Sequence, residues 1–272
     1  MRRSRLILFL LVTLLPWAAQ AQPKRIISIA PSFTEILYAL GAGPQIIATS
    51  NFCDYPPEAL KTDKVGDVLN PNIEKIIRLQ PDLVLCGAWK WTLPEKLRAA
   101  GIEVLEIKDA ENLNDSLQRI IIIGKKVGKE TEAQAIVYQM KKDIEAIKAR
   151  ETGAKRKVYI ELDAGQWTVG GSSYLNEVVE IVGLENIFRD RKEPYLMVTM
   201  ESILMRQPDL LMSLHRTKEE YQKISAWQAS SCVRDGKVIG RDSIDWNSIT
   251  HQSPRLVQGI QMLEAKVKEI LH

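Results

Sequence analysis

Short apolar runs alternate with segments of helical periodicity along most of the chain, and this alternation predicts a parallel α/β sheet. In the first unit, an apolar run is followed by Ser32 and Glu35, which are spaced as a helix capping box, and by Gly41 as a helix stop. Asn72 is placed to cap a second helix, which Pro81 ends. The strands predicted in the first half are residues 25–30, 46–49, 82–85 and 102–107.

The middle of the chain has no clear strand pattern, and residues 129–150 predict one helix about 33 Å long. Strand–helix alternation resumes after Gly153. A long helix between two α/β segments favours a rigid connector, although ordinary packing against one lobe would give the same apolar stripe. That stripe comprises Ala133, Ile136, Val137, Met140, Ile144 and Ile147.

The two α/β segments resemble each other internally. Residues 74–83 and 201–210 align at an offset of 127, with an identical Gln-Pro-Asp-Leu near the end of each. The helix dipole favours an acidic residue in a first turn, which would explain Glu74 or Glu201 singly. Their shared placement instead predicts two lobes of similar topology, each with a glutamate near the start of a helix.

Residues 1–21 have the pattern of a secretory signal peptide. Three arginines precede an apolar run at residues 6–19, and Ala19-Gln-Ala21 supplies a small–x–small cleavage site. The alternative is a permanent membrane anchor, but the run is shorter than the roughly 18–20 residues that a span needs. No cysteine follows the run, so we expect cleavage after Ala21, no lipid anchor, and a periplasmic location.

Charge excludes one class of partner. The formal charge is +3, and the three arginines of the signal segment account for it, because the rest of the chain has 34 basic and 34 acidic residues. A mature protein close to neutral has no basic surplus with which to bind nucleic acid.

Catalytic motifs are absent from the sequence. It contains no Walker A loop, no His-Glu-x-x-His, no Cys-x-x-Cys and no Gly-x-Ser-x-Gly. His215, His251 and His272 are the only histidines, which limits acid–base and metal chemistry. We therefore expect a protein without catalytic residues, and an enzyme acting on a cofactor remains the alternative of a different class.

The three cysteines allow at most one internal disulfide. Cys53 and Cys86 both follow predicted strands of the first lobe and are the best candidates for a pair. Cys232 precedes a predicted turn and is expected to be free and partly buried.

Aromatic residues are concentrated where strands end. Parallel α/β sheets bind ligands beyond the carboxyl ends of their strands, so these rings suit a large, planar or apolar ligand. The alternative is that several of them pack inside their own lobe, as Trp227 is expected to do. The rings at strand ends or loops are Phe52, Tyr55, Trp89, Trp91, Trp167, Tyr195 and Trp246.

Seven motifs occur in an order that resembles one protein family. They are residues 26–35 (Ile-Ile-Ser-Ile-Ala-Pro-Ser-Phe-Thr-Glu), 51–58 (Asn-Phe-Cys-Asp-Tyr-Pro-Pro-Glu), 65–66, 70–74, 80–84, 183–188 and 253–255 (Ser-Pro-Arg). Together they resemble the periplasmic binding proteins of cobalamin, haem and siderophore ABC importers, over nearly all of residues 23–272. The Cys-Asp-Tyr-Pro-Pro element most resembles the vitamin B12 branch.

The resemblance implies two Rossmann-like lobes joined by one long helix, with the ligand cleft between them. The boundaries expected are 1–21 for the signal peptide, 22–128 for the first lobe, 129–153 for the interlobe helix and 154–272 for the second lobe. The chain departs from the vitamin-binding pattern at Val68, where some relatives have an aromatic residue. It departs again in a longer stretch between Trp246 and the Ser-Pro-Arg motif.

The expected function is capture of cobalamin or another corrinoid, which is cargo rather than a resident cofactor. The rings expected to pack on the ligand are Phe52, Tyr55, Trp89, Trp167, Tyr195 and Trp246. Ser172 and Asp245 are expected to hydrogen-bond its amides. Haem or an iron–siderophore is the alternative cargo, and His215 or His251 could then serve as an axial ligand. Both histidines could equally be polar rim residues without metal contact.

The resemblance also implies a partner. In this family, surface glutamates at the positions of Glu74 and Glu201 pair with arginines on the two membrane subunits of the permease. We expect the protein to act as a monomer that docks through these two carboxylates.

Overall fold

The structure is a computed structural model that describes residues 22–88, 92–151 and 153–271. The signal segment, Trp89 and Trp91 lie outside the described residues. The strands are β1 (Ile26–Ser28), β2 (Ile46–Thr49), β3 (Asp63–Lys64), β4 (Leu83–Gly87), β5 (Glu103–Ile107), β6 (Arg156–Glu161), β7 (Trp167–Val169), β8 (Leu184–Asn186), β9 (Tyr195–Met197), β10 (Leu210–Ser213) and β11 (Val238–Ile239). The helices are α1 (Pro31–Ala39), α2 (Ile73–Arg78), α3 (Leu93–Ala99), α4 (Leu113–Lys126), α5 (Glu130–Lys148), α6 (Tyr174–Ile181), α7 (Met200–Arg206), α8 (Lys218–Gln222), α9 (Ser231–Arg234), α10 (Asn247–Thr250) and α11 (Leu256–Leu271).

Two parallel sheets form the framework. The first has the order β3-β2-β1-β4-β5, and the second has the order β11-β10-β6-β8. In the first sheet Ile26 pairs with Ile46 on one side and with Leu83 on the other. The apolar residues of the central strands, such as Ile26, Ile27 and Leu83, are fully buried, as their short apolar runs predict. The predicted α/β fold with two lobes is confirmed.

A small antiparallel ribbon accompanies the second sheet. In it β7 pairs with β9, and Trp167 lies opposite Met197. The sequence pattern did not predict this ribbon, because three-residue strands are too short to show a period.

The helix α1 begins differently from the prediction. Ala30 is its N-cap and makes no side-chain cap bond, and Pro31 opens the helix, so Ser32 already lies in the first turn. The predicted capping box is therefore wrong. Glu35 is instead buried and accepts bonds from the other end of the chain. The helix stops where predicted, with Gly41 at a φ of 75°.

Two helices, α4 and α5, lead the chain from the first sheet to the second. The helix α5 covers most of the stretch predicted as a connector, and the residues of its stripe are buried except for Ile136, which is partly buried. Its far end is fixed to α11, because Arg150 donates to both carboxylate oxygens of Glu264 at 2.9 and 2.6 Å.

One apolar core extends through both halves of the molecule. It runs from Leu37 on α1 through Ile120 on α4 and Ile144 on α5 to Val179 on α6 and Ile260 on α11. Two smaller apolar clusters cover the other faces of the two sheets. Separation of the lobes would expose part of the shared core to water, so the core opposes wide opening.

The predicted repeat is present in the fold. The side chains of Asn72 and Thr199 cap α2 and α7 by accepting a backbone N–H three residues on, at 2.8 and 3.2 Å. Glu74 and Glu201 are then the second residue of each helix, and both are exposed. The two glutamates therefore occupy equivalent places in the two halves.

The same repeat continues past the helices. Gln80 and Gln207 both adopt left-handed backbone, with φ of 47° and 51°. Asp82 and Asp209 each accept a backbone N–H from the start of the neighbouring strand, at 2.9 and 2.8 Å. The identical Gln-Pro-Asp-Leu segments thus form the same turn in both halves of the molecule.

The cysteines do not form the predicted pair. Cys53, Cys86 and Cys232 are all free and buried, so the prediction of a Cys53–Cys86 disulfide is wrong, as is partial exposure of Cys232. Cys86 lies in β4, Cys53 follows β2, and β1 separates those two strands. The Cys53 sulfur instead lies 3.1 Å from the hydroxyl of Thr34 and 3.2 Å from that of Ser50.

We expect the native thiols to resist Ellman's reagent, because burial raises the pKa of Cys86 to about 12 and also raises that of Cys232. Denaturation should release all three thiols for titration without a reductant. A count of one thiol in denaturant would contradict the free state of the cysteines.

Candidate ligand cleft

A cleft of about 900 Å³ lies between the two halves of the molecule. The first half contributes the loops that follow β1, β2 and β5, and the second contributes the start of α6, the start of β9 and the α10 region. The three loops of the first half follow the carboxyl ends of parallel strands, where open α/β sheets bind ligands. The lining residues are Ala30, Pro31, Ser32, Asn51, Phe52, Asp54, Val68, Asp109, Ala110, Glu111, Arg119, Ser172, Ser173, Pro194, Tyr195, Asn247, Thr250, His251 and Gln252.

Three residues expected to contact ligand line this cleft, namely Phe52, Ser172 and Tyr195. The two rings come from opposite halves and remain 60% and 51% exposed. Large exposed rings at the mouth of a cleft offer apolar area to a ligand. The hydroxyl of Ser172 is bonded to the backbone carbonyl of Lys192, so it can still accept a hydrogen bond.

Two other predicted contacts, Trp167 and Trp246, lie elsewhere. Trp246 is only 8% exposed, and its Nε1 donates to the carbonyl of Gly240 at 3.0 Å. It packs in the shared core, which is the alternative considered for rings at strand ends. Trp167 lies on the β7–β9 ribbon and is partly exposed. Another predicted ring, Trp89, is outside the described residues.

Tyr55 and Asp245 both contact Arg255. The guanidinium of Arg255 lies 3.8 Å from the centre of the Tyr55 ring, and its Nη1 is 3.4 Å from a carboxylate oxygen of Asp245. Tyr55 belongs to the first half and Asp245 to the second. The two residues therefore contribute to a contact between the halves.

Glu35 is the centre of that contact. Its buried carboxylate accepts from His251 Nδ1 at 2.7 Å, from Arg255 Nε at 3.1 Å and from the hydroxyl of Ser253. Three donors around one carboxylate satisfy a charge that would be costly to bury alone. We call Glu35, His251, Ser253 and Arg255 the Glu35 cluster.

Sequence reasoning missed this role of Glu35. The available signal was its position between apolar residues of α1, since a charged side chain on a buried face needs a partner. Its partners lie 216 to 220 residues away in the chain, beyond the reach of periodicity.

Arg119 was also missed. It lines the cleft from α4 although it is only 4% exposed, and its Nη2 donates to the carbonyl of Lys108 at 2.9 Å. Burial lowers the pKa of Arg119, and the nearby Asp109 carboxylate opposes that shift. Its signal was the period of α4, because Ser116 and Ile123, three residues before and four after, are both buried.

The two histidines have different places. His251 lines the cleft, whereas His215 is not among the described residues that do so. His215 Nδ1 is 3.7 Å from Glu161 at the carboxyl end of β6. Burial and the Arg216 charge lower the pKa of His215, while burial raises that of Glu161 to about 7.

The stretch that departs from the family pattern, residues 247–252, forms α10 and part of the cleft wall. It supplies Asn247, Thr250, His251 and Gln252 to the lining. Gln252 has left-handed backbone with a φ of 54°, and its amide donates to the carbonyl of Ala110 in the first half at 3.2 Å. This segment therefore reaches from the second half to the first.

A cleft between two parallel α/β halves agrees with the family comparison, in which a model of periplasmic binding proteins matches residues 26–244. The chain belongs to this family. Its members and structural neighbours are binding proteins of transporters rather than enzymes. This binding protein is accordingly the substrate-binding component of an ABC importer.

Individual relatives agree with this assignment. The vitamin B12-binding protein of Pectobacterium atrosepticum is 32% identical, and the match covers 98% of this chain and 96% of the relative. An uncharacterized ABC transporter substrate-binding lipoprotein of Bacillus subtilis is 31% identical over 90% of this chain and 80% of its own length. Among solved structures, the vitamin B12-binding protein BtuF of Vibrio cholerae has a TM-score of 0.74 and 25% identity, covering 92% of this chain and 98% of that chain.

The haem-binding protein HutB of Vibrio cholerae has the same fold. Its TM-score is 0.79, its identity is 22%, and the match covers 89% of this chain and 97% of that chain. Within the described part of this binding protein, no helix is both long and apolar enough to cross a bilayer. Within the same residues, no cluster of three or more His, Cys, Asp or Glu side chains could hold a metal ion.

Proposed function

We propose that this binding protein captures cobalamin or a related corrinoid between its lobes and delivers it to a permease in the inner membrane. The observation that carries the proposal is the cleft itself, which is large, is lined by both apolar and polar residues, and has an exposed ring on each side. Relatives named for vitamin B12 binding, which match almost the whole chain, support the choice of ligand.

The chemistry of the lining suits a corrinoid. Phe52 and Tyr195 can pack against the flat, largely apolar ring from opposite halves. A corrin also carries amide side chains. The carboxylates of Asp54 and Glu111 can accept hydrogen bonds from the N–H groups of these amides. Arg119 can donate to an amide carbonyl or to the phosphate of the nucleotide tail.

Export is part of the proposal. Residues 1–21 would be removed, which would leave Gln22 as the first residue of a periplasmic protein without a lipid anchor. Delivery would use Glu74 and Glu201, since both carboxylates are exposed at helix starts in equivalent positions of the two halves.

Titration with cyanocobalamin, followed by calorimetry or tryptophan fluorescence, tests the ligand. We expect a Kd in the micromolar range or tighter. Phe52→Ala and Tyr195→Ala should each lose about 1.5–3 kcal/mol of binding energy through lost apolar contact. That loss corresponds to a roughly 10- to 150-fold higher Kd.

Tyr138→Ala is the matched control, because Tyr138 is a 72% exposed ring on α5 and is not among the described residues that line the cleft. It should bind cyanocobalamin like the wild type. Absence of binding at micromolar cyanocobalamin, together with binding of haem, would replace the corrinoid by haem as cargo.

A further inference from the structure

The imidazole of His251 uses one ring nitrogen, Nδ1, in a hydrogen bond within the protein. Its Nδ1 is 2.7 Å from Glu35 Oε1, and its Nε2 makes no hydrogen bond with any described residue. The side chain is mostly buried and contributes to the cleft wall.

The bond to Glu35 decides the tautomer. A carboxylate surrounded by three donors can only accept, so Nδ1 carries the proton of this hydrogen bond. In the neutral ring Nε2 then holds a lone pair. A histidine that gives one N–H to a carboxylate and keeps the other nitrogen free is arranged as metal-bound histidines are.

The ring is also held in place. Glu35 is fixed by Ser253 and Arg255, and Arg255 is in turn fixed by Tyr55 and Asp245. Rotation of the imidazole would break the 2.7 Å bond to a buried carboxylate, which is costly. The lone pair therefore has a defined direction before any ligand enters.

We propose that His251 coordinates, through Nε2, the metal of the bound macrocycle. The proposal rests on the proposed function, in which the cargo is a corrinoid. A macrocycle already supplies most of the coordination positions of its metal, so one imidazole is enough to complete it. The metal–water bond breaks, the Nε2 lone pair forms the new bond, and the water leaves into the cleft without any change of oxidation state. Glu35 acts as a positioning residue.

Two cobalamins separate this role from general binding. Aquacobalamin has an exchangeable water on cobalt, whereas cyanide occupies that position in cyanocobalamin. The wild type should bind aquacobalamin at least tenfold more tightly than cyanocobalamin. Binding should shift the visible absorption bands of aquacobalamin only.

His251→Asn is the informative variant, because the asparagine amide can still donate to Glu35 while Nε2 is gone. It should lose the band shift, and its affinities for aquacobalamin and cyanocobalamin should become equal to within about threefold. His215→Ala is the matched control and should retain both properties, since His215 bonds Ser213 rather than lining the cleft.

Three results would overturn the proposal: no band shift in the wild type, a shift that survives in His251→Asn, or a shift that is lost in His215→Ala. If the wild type binds cyanocobalamin normally but aquacobalamin shows no shift, only the role of His251 fails. If it binds neither cobalamin, the proposed corrinoid function fails as well. Haem serves as the third probe, and a Soret shift that depends on His251 would assign the same nitrogen to an iron porphyrin.

Discussion

Replacing Glu74 and Glu201 together with alanine will leave affinity for the proposed corrinoid cargo unchanged and reduce its uptake by roughly tenfold or more. Both carboxylates are exposed, each is the second residue of its helix, and neither is among the described residues that line the cleft. Arginines on a permease can bind such carboxylates through charge-assisted hydrogen bonds. Charges of this kind at an interface set orientation and encounter rate, so association should also weaken with added salt.

The measurement combines ligand titration with transport in cells or vesicles that contain the cognate permease. Glu95→Ala with Glu219→Ala is the matched control, since these are exposed glutamates in the first turns of α3 and α8, one in each half. The control pair should transport normally. Full transport by the Glu74 and Glu201 double variant would disprove docking through these two points.

Replacing Glu35 with alanine will lower the free energy of unfolding by about 3–5 kcal/mol, because it leaves buried donors and the Arg255 charge without their acceptor. Arg255 and His251 come from the second half and Glu35 from the first, so the loss falls on the contact between them. Urea denaturation monitored by circular dichroism measures the change.

Glu145→Ala provides the comparison for Glu35→Ala. Glu145 accepts from Lys148 at 2.9 Å, but both side chains are well exposed on α5. An exposed pair contributes at most about 1 kcal/mol. If the two variants unfolded at the same urea concentration, the Glu35 cluster would contribute no more than an ordinary surface pair.

The local sequence pattern was sufficient to predict the elements that occur in both halves. The strand runs, the stop at Gly41, the Asn72 cap and the shared Gln-Pro-Asp-Leu turn depend on residues within a few positions of each other, so periodicity and turn chemistry predict them. The same reasoning placed Glu74 and Glu201 at equivalent helix starts.

Long-range pairing could not be predicted in this way. Glu35 follows the spacing of a capping box, yet Pro31 starts the helix earlier and the carboxylate meets donors from the far end of the chain. Trp246 follows a strand in the sequence, as a cleft residue would. Its ring nevertheless packs in the core, where its N–H donates a hydrogen bond to the carbonyl of Gly240. Cys53 and Cys86 are separated by an intervening strand that only the sheet order reveals.

The shared apolar core and the Glu35 cluster have a consequence for the transport cycle. Packed helices join the two halves along one side, and the buried carboxylate of Glu35 joins them on another. We therefore expect Glu74 and Glu201 to keep nearly the same distance from each other in the empty and in the loaded protein. If docking uses these two glutamates as proposed, the permease would meet the same pair of charges in both states. Under that proposal, recognition of the loaded state would come from the cargo itself, at the mouth of the cleft between Phe52 and Tyr195.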